Sequence, residues 1–428
     1  MSIHFTQLGN GIRVVTEHIP SLQSVSLGCW LTKGARHEQA QENGMFHFIE
    51  HTLFKGTPKW NARQIAETFD GLGGSLDAYT GKEETCFSFR LRSKHLPLGL
   101  GILADMIQNP CFDAVELDRE RKVILEEIKM AADDPEDLAF ETAMQSCWEG
   151  HSLGRPILGP PENVKRFRAV DVRDFHRCHY QPEDLIVAAA GQLDHEDLCK
   201  QIESLFCGFR PPEPDHHAPL VPPTFKAFQA VINKPYLEQV SFCLVFPTIS
   251  QTHPNKPDLV LLSTILGGGM SSRLFQTIRE ERGLAYHVGS FFGTYSDSGF
   301  LSVYGSCAPE NLQEVLDLIG DALKKIKTET IPEPELERAK EQCIGGLVLG
   351  LESSFSRAGA LAKAMQYRGE IFDLKREIDR WNAVSSSSIQ VLANNWFQND
   401  RMGLAVVGPV GQTPLEINVA QSRHGSLV

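Results

Sequence analysis

Two histidines and a glutamate fall within five positions of "GMFHFIEHTLFKGT", residues 44–57: His47, Glu50 and His51. Around them Phe46, Ile49 and Leu53 recur at spacings of three and four, and Gly56 follows as a stop, so an amphipathic helix is expected here. Residues four apart share a helical face, which lets His47 and His51 aim two imidazoles at one metal ion with Glu50 beside them. The order H-x-x-E-H reverses the commoner H-E-x-x-H, and both serve zinc chemistry. The plainer alternative is a pair of histidines satisfied by local hydrogen bonds, with Glu50 a surface charge or a fourth ligand.

A two-histidine site needs a third ligand, usually a carboxylate, and an open position if it is to hydrolyse anything. The segment "LDRERKVILEEIKMAA" supplies a candidate. Its helical apolar stripe is expected to include Val123, Ile124 and Ile128. Glu127 lies three after Ile124 and four after Val123, within that stripe, whereas Glu126 neighbours Arg119, Lys122 and Met130 and reads as solvated. An inward carboxylate is costly unless it is paired or binds metal. Glu120, two turns before Glu127 on the same face, is placed to orient a ligand from behind.

The chain contains an internal comparison. "SVSLGCWLTKGA" from Ser24 resembles "QVSFCLVFPTIS" from Gln239, and "KHLPLGLGILADMI" from Lys94 resembles "ENLQEVLDLIGDAL" from Glu310. "ELDRERKVILEEI" from Glu116 matches "ELERAKEQCIGGL" from Glu335, and "DLIVAAAGQL" from Asp184 matches "RMGLAVVGPV" from Arg401. These are paired strands and helices of a duplicated α+β unit, each a mostly antiparallel sheet packed with helices. In the second copy His47, Glu50 and His51 become Leu262, Ile265 and Leu266, and Glu127 becomes Gly346. The fold itself therefore does not require those polar side chains. Between the copies lies "FRPPEPDHHAPLVPPTF", residues 209–225, whose six prolines exclude a helix or central strand. The expected domains are 1–208, which carries the metal residues, and a metal-free 226–428, with 209–225 as linker.

Composition sets the surroundings. No apolar run approaches the roughly 18 residues that would span a bilayer, and the opening "MSIHFTQLGNGIRVVTEHIP" reads as strand, Asn10-Gly11 turn and strand instead of a signal peptide. Ten cysteines without a C-x-x-C pair read as buried thiols in a reducing, cytoplasmic compartment. Lysine and arginine number 41 against 54 acidic residues, a net charge of −13, which argues against a nucleic-acid partner and is compatible with basic substrates. A second histidine pair, "HRCH" at His176–His179, precedes a closing strand, has no carboxylate at helical spacing and reads as structural.

With "HFIEH", Glu120 and Glu127 in place, 76 residues separating His51 from Glu127, the chain resembles the pitrilysin family of zinc peptidases, in particular the β-type mitochondrial processing peptidase and its bacterial relatives. The likeness extends over "NGIRVVTEHIP", "GGSLDAYTGKEET", the proline linker and "GGGMSSRLFQTIREERGLAYHV". It implies one Zn2+ per chain on His47, His51 and Glu127, with Glu50 as general base. It also implies that Arg279 and Tyr286 grip the substrate carbonyl and oxyanion. Unaided by the family, Arg279 reads as an exposed residue at a helix end.

The alternating strand Ser75, Leu76, Asp77, Ala78, Tyr79 resembles the family's edge strand for extended peptides, although Asp77 stands where asparagine is usual. Asp137 and Glu141 match acidic positions that receive a substrate arginine in processing peptidases; read alone they are a solvated acidic helix start. The resemblance further implies a homodimer enclosing a chamber for unfolded peptides, in which the partner's second half brings Arg279, Tyr286 and the Gly267–Met270 loop to each zinc. Two rival functions remain: a catalytically silent structural or chaperone-like subunit, which the family also contains, and a hydrolase of non-peptide substrates.

Overall fold

The computed structural model describes residues 2–209, 220–411 and 415–419. The centre of the proline-rich stretch, 210–219, lies outside the described residues. The first half of the chain runs β1 (Ser2–Gln7), β2 (Arg13–His18), β3 (Ser24–Leu31), α1 (Met45–Leu53), α2 (Ala62–Gly71), β4 (Ser75–Thr80), β5 (Thr85–Arg92), α3 (Leu96–Gln108), α4 (Ala114–Asp133) and α5 (Pro135–Cys147). It continues with α6 (Pro161–Arg166), α7 (Ala169–His179), β6 (Leu185–Gly191) and α8 (His195–Leu205). The second half follows as β7 (Phe228–Asn233), β8 (Val240–Thr248), α9 (Lys256–Gly267), β9 (Ala285–Thr294), β10 (Gly299–Cys307), α10 (Leu312–Thr328) and α11 (Glu333–Gly350). It ends with α12 (Ser354–Arg368), α13 (Leu374–Asn382), α14 (Ser386–Trp396) and β11 (Gly403–Gly408).

The duplication is visible in the strand order. One sheet runs β1-β2-β6-β3-β5-β4 and the other β7-β11-β8-β10-β9. Without β1 the two orders coincide position for position. In each, a single parallel pair (β2 with β6, β7 with β11) joins an otherwise antiparallel ladder. β1 is an additional strand, turned back on β2 through Asn10-Gly11, where Gly11 takes φ +94° and Gly11 N–H donates to the Leu8 carbonyl.

The packed units are not the two continuous halves. One consists of Met1–Lys129, Arg155–Val221 and Val348–Phe372, the other of Met130–Gly154, Pro222–Leu347 and Asp373–Val428. Each sheet has a principal core on one face and a smaller one on the other. In the first unit the smaller core joins Val15, Trp30, Cys86 and Ile186 to Ala358, Leu361 and Met365 of α12. In the second it joins Cys243, Val245, Phe300 and Ala405 to Ala139, Ala143 and Met144 of α5. The boundary at 209–225 describes chain order, whereas apolar packing carries 130–154 into the second unit and 348–372 into the first. The local pattern of α5 and α12 says only that each has an apolar face; it does not say which sheet that face covers.

Helix α1 is anchored by its apolar side. Phe46, Phe48, Ile49 and Leu53 have no exposed surface, and complete burial of such side chains stabilises by about 1.5–3 kcal/mol each. Its start is less ordinary. Gly44 precedes the helix at φ +98° and offers no side-chain cap; the buried Glu38 carboxylate instead accepts from Gly44 N–H (2.9 Å), Phe46 N–H (2.8 Å) and Asn43 Nδ2 (2.9 Å). Burial pushes the Glu38 carboxyl up to about 7, although these donors oppose the shift. Among the described residues no helix is long and apolar enough to cross a membrane. Because Glu38→Ala would strand buried N–H donors at the helix that carries both histidines, it is expected to lower unfolding free energy by about 2–3 kcal/mol in denaturant titration.

Candidate metal centre

α1 and α4 together build the centre in the first unit. His47 and His51 are one turn apart on α1, their ring centroids 4.6 Å from each other. From α4, Glu127 Oε2 lies 3.7 Å from His47 Nε2 and 3.5 Å from His51 Nε2. Three donors arranged tetrahedrally about one ion at about 2.0–2.1 Å stand roughly 3.3–3.5 Å apart. The observed spacing fits an ion, and these three residues form the one metal-competent group among the described residues.

The protonation states fit as well. Burial, and then the neighbouring His51, push His47 down to about 4, so its ring is neutral near pH 7. Its Nε2 faces Glu127, while its Nδ1 is buried with no hydrogen-bond partner. His51 is oriented from behind: its Nδ1 lies 3.2 Å from Glu120 Oε2, and the other Glu120 oxygen is 2.6 Å from Lys55 Nζ. The pairing with Glu120 favours the proton on Nδ1 and directs the Nε2 lone pair toward Glu127. Two imidazoles and a carboxylate, with one imidazole hydrogen-bonded to a second carboxylate, are the donor set of hydrolytic zinc centres.

Glu50 shares the α1 turn. Thr80 Oγ1, at the end of β4, donates to Glu50 Oε2 at 2.5 Å. Burial raises the Glu50 carboxyl above its ordinary value, the Thr80 hydrogen bond and His51 oppose that shift, and Glu127 adds to it. A carboxylate in this setting is suited to take up and release a proton.

One expectation about α4 is corrected. Ile124 is fully buried and Glu120 is 7% exposed, but Val123 is 45% exposed and the Glu127 side chain 38%. Glu127 therefore lies at the rim of the buried stripe and not within it, with the exposure that a ligand at an open coordination position would need. Glu126 is on the solvated side, paired with Lys129 at 2.7 Å.

Beside the centre, β4 ends the sheet, and among the described residues no strand pairs with its outer edge. Leu76 and Ala78 pack against the principal core. Alternation puts Ser75, Asp77 and Tyr79 on the opposite face, where Tyr79 Oη accepts from Trp30 Nε1 (3.2 Å) and donates to Glu84 (2.8 Å). Asp77 thus does not share a strand face with Thr80.

The remaining sequence candidates belong to the second unit. Arg279, in a π-helical turn at Phe275–Glu280, stacks its guanidinium 5.0 Å from the Tyr286 ring and 4.7 Å from that of Phe275. Tyr286 is 80% exposed at the start of β9, and Met270 is 76% exposed. Asp137 lies in the first turn of α5, capped by Asp134, and Glu141 follows one turn later. Burial and the carboxylates of Asp134 and Glu136 raise the Asp137 carboxyl. Leu262, Ile265 and Leu266, the counterparts of the metal-site residues, are core residues of α9.

The second histidine pair is structural, His179 buried and His176 half-buried. His176 donates from Nε2 to the Ile107 carbonyl at 2.9 Å and stacks on Tyr180, while His179 packs its ring 4.1 Å from that of Phe175. Lys55, Thr80 and Glu38 are the functional neighbours that sequence reasoning passed over. Lys55 alone carried a signal, four positions after His51, although it lies just past the end of α1.

Comparison with known proteins agrees with this geometry. Residues 13–161 match the model of the insulinase family (peptidase family M16), and residues 166–343 match that of the peptidase M16 inactive domain. The chain is 37% identical over 405 residues to the uncharacterized zinc protease YmxG of Bacillus subtilis, covering 95% of this chain and 98% of that protein. It is also 37% identical over 418 residues to an uncharacterized zinc protease of Mycobacterium tuberculosis, covering 95% and 93%. A crystal structure of a protease from Helicobacter pylori superposes with a TM-score of 0.90 at 21% identity, over 95% of this chain and 99% of that one. The peptidase M16 inactive domain structure from Pseudomonas fluorescens gives 0.87 at 22%, over 97% and 100%. The chain belongs to peptidase family M16, the pitrilysin family.

Two outcomes follow from this geometry. Glu120→Ala is expected to weaken divalent-metal binding roughly 10- to 100-fold in a competition titration, with the fold retained in circular dichroism, because His51 loses its orienting partner. The half-buried His176 is pushed from 6.5 down to about 4 by desolvation, against the opposing hydrogen bond to Ile107. Its contribution to stability is therefore full above pH 6.5 and is lost as pH falls toward 4, by about 3 kcal/mol at the acid end. His176→Gln is expected to remove up to one proton from the acid dependence of unfolding measured between those values.

Proposed function

We propose that this protein is a zinc-dependent endopeptidase acting on extended peptides. The observation that carries the reading is the meeting of His47, His51 and Glu127 on one side of α1, with the Glu50 carboxylate on the same turn. Zinc held by those three residues would supply a Lewis acid that polarises the scissile carbonyl and acidifies water. Glu50 accepts the proton of the attacking water and returns it to the departing amine. The free edge of β4 binds substrate main chain as an added strand, which favours extended peptides over folded proteins and non-peptide substrates. The net charge of −13 and the acidic start of α5 support a preference for basic peptides. Buried thiols at Cys29, Cys86, Cys147, Cys243 and Cys307 support a reducing, cytoplasmic setting.

Arg279 and Tyr286 form one exposed cation–π pair, suited to donate to a developing oxyanion. We assign them to the site of a second copy of the chain in a homodimer. The test is cleavage of a quenched basic peptide. Wild type is expected to cleave, and chelation or Glu50→Gln to reduce the rate by roughly 100-fold or more, with zinc retained in Glu50→Gln. Mixed Glu50→Gln and Arg279→Ala chains are expected to recover activity. No cleavage by zinc-loaded wild type would refute the enzyme, and mixtures as inactive as their parents would refute the shared site.

A further inference from the structure

We propose that Thr80 is a positioning residue for Glu50: its hydroxyl, carried on an anchored hairpin, holds one carboxylate oxygen and leaves the other to receive the proton. The inference rests on the peptidase reading above. The contact is short, 2.5 Å from Thr80 Oγ1 to Glu50 Oε2, and spans 30 positions in sequence. Among the described residues no other donor engages this carboxylate. A half-buried glutamate that borders an open site has several rotamers of similar energy. A single fixed donor is enough to select one of them.

What makes the donor fixed is the turn that follows it. Thr80 pairs with Thr85, and Gly81 N–H closes the hairpin onto the Glu84 carbonyl at 2.7 Å. The residues before α1 brace the same turn: Ala35 N–H donates to the Gly81 carbonyl (3.0 Å) and Arg36 N–H to that of Lys82 (2.8 Å). Gly34 is necessary for this approach, since a Cβ there would collide with the Gly81 carbonyl oxygen. The Arg36 side chain, fully buried, forms a 2.5 Å ion pair with Glu83. α12 secures the hairpin from its other side, with Gln366 Nε2 donating to the Glu83 carbonyl (3.0 Å) and Tyr367 Oη to its carboxylate (3.2 Å). The helix reaching the first unit from the second half of the chain thereby helps to hold the residue that orients the base.

This assignment explains a feature that substrate binding alone does not. β4 faces peptide with its outer edge, yet its last side chain is committed to Glu50. Strand and base are registered to each other, so a peptide added to β4 meets a proton acceptor whose position is already set.

The experiment compares full-length, zinc-loaded Thr80→Val, Thr80→Ser, Glu50→Gln and the Thr80→Val/Glu50→Gln double variant on a quenched peptide. Thr80→Val is expected to lose roughly ten- to a hundred-fold in kcat with KM and zinc affinity unchanged. Thr80→Ser is expected to stay within about threefold of wild type, and the double variant to be no slower than Glu50→Gln alone. Crystal structures of the metal-free variants supply a readout independent of turnover: Glu50 changes rotamer in Thr80→Val and keeps it in Thr80→Ser. Should Thr80→Val not fold, Thr80→Ala against Thr80→Ser carries the same comparison. Full activity in Thr80→Val, an equal loss in Thr80→Ser, or a loss confined to KM overturns the positioning role while leaving the peptidase reading intact. Activity retained in Glu50→Gln overturns both the positioning role and the assignment of Glu50 as the base.

Discussion

The approach of the Glu127 carboxylate to two imidazoles on a neighbouring helix is the constraint around which the first unit is arranged. Glu127 Oε2 stands 3.7 Å from His47 Nε2 and 3.5 Å from His51 Nε2, a crowding of acceptor atoms that is unfavourable by itself. Two lone pairs and an anion converge on one point. Only a cation there turns the arrangement from a cost into a gain. The surroundings are consistent with that: Glu38 secures the start of α1, Glu120 and Lys55 orient His51, and Thr80 restrains Glu50.

The duplicated fold separates what the architecture needs from what the chemistry needs. α9 occupies in its sheet the place that α1 occupies in the other, and fills it with Leu262, Ile265 and Leu266. Those side chains contribute the apolar burial that His47, Glu50 and His51 forgo. The match of residues 166–343 to the inactive-domain model takes in this substituted helix.

Much of this was legible because it is periodic. The i, i+4 spacing placed both histidines on one face, the need for a third ligand singled out Glu127 even though it lies outside the buried stripe, and the repeat foretold two sheets of one plan. What escaped is what periodicity cannot encode. Val123 looked buried by spacing alone but is half exposed. The choice of α5 for one sheet and α12 for the other depends on how whole faces fit. Thr80 and Glu38 are single polar residues in a strand end and a loop, whose partners are 30 and 8 positions away. Nothing local distinguishes such residues from others of their type.

The central claim is that His47, His51 and Glu127 are the protein ligands of one zinc ion. X-ray absorption on purified protein reconstituted with zinc, compared with His47→Ala and Glu127→Ala, tests it most directly. The expected result is one tightly held zinc per chain with only nitrogen and oxygen neighbours at about 2.0–2.2 Å, lost or strongly weakened in both variants. Sulfur in the coordination shell, or unchanged zinc binding after either substitution, would contradict it.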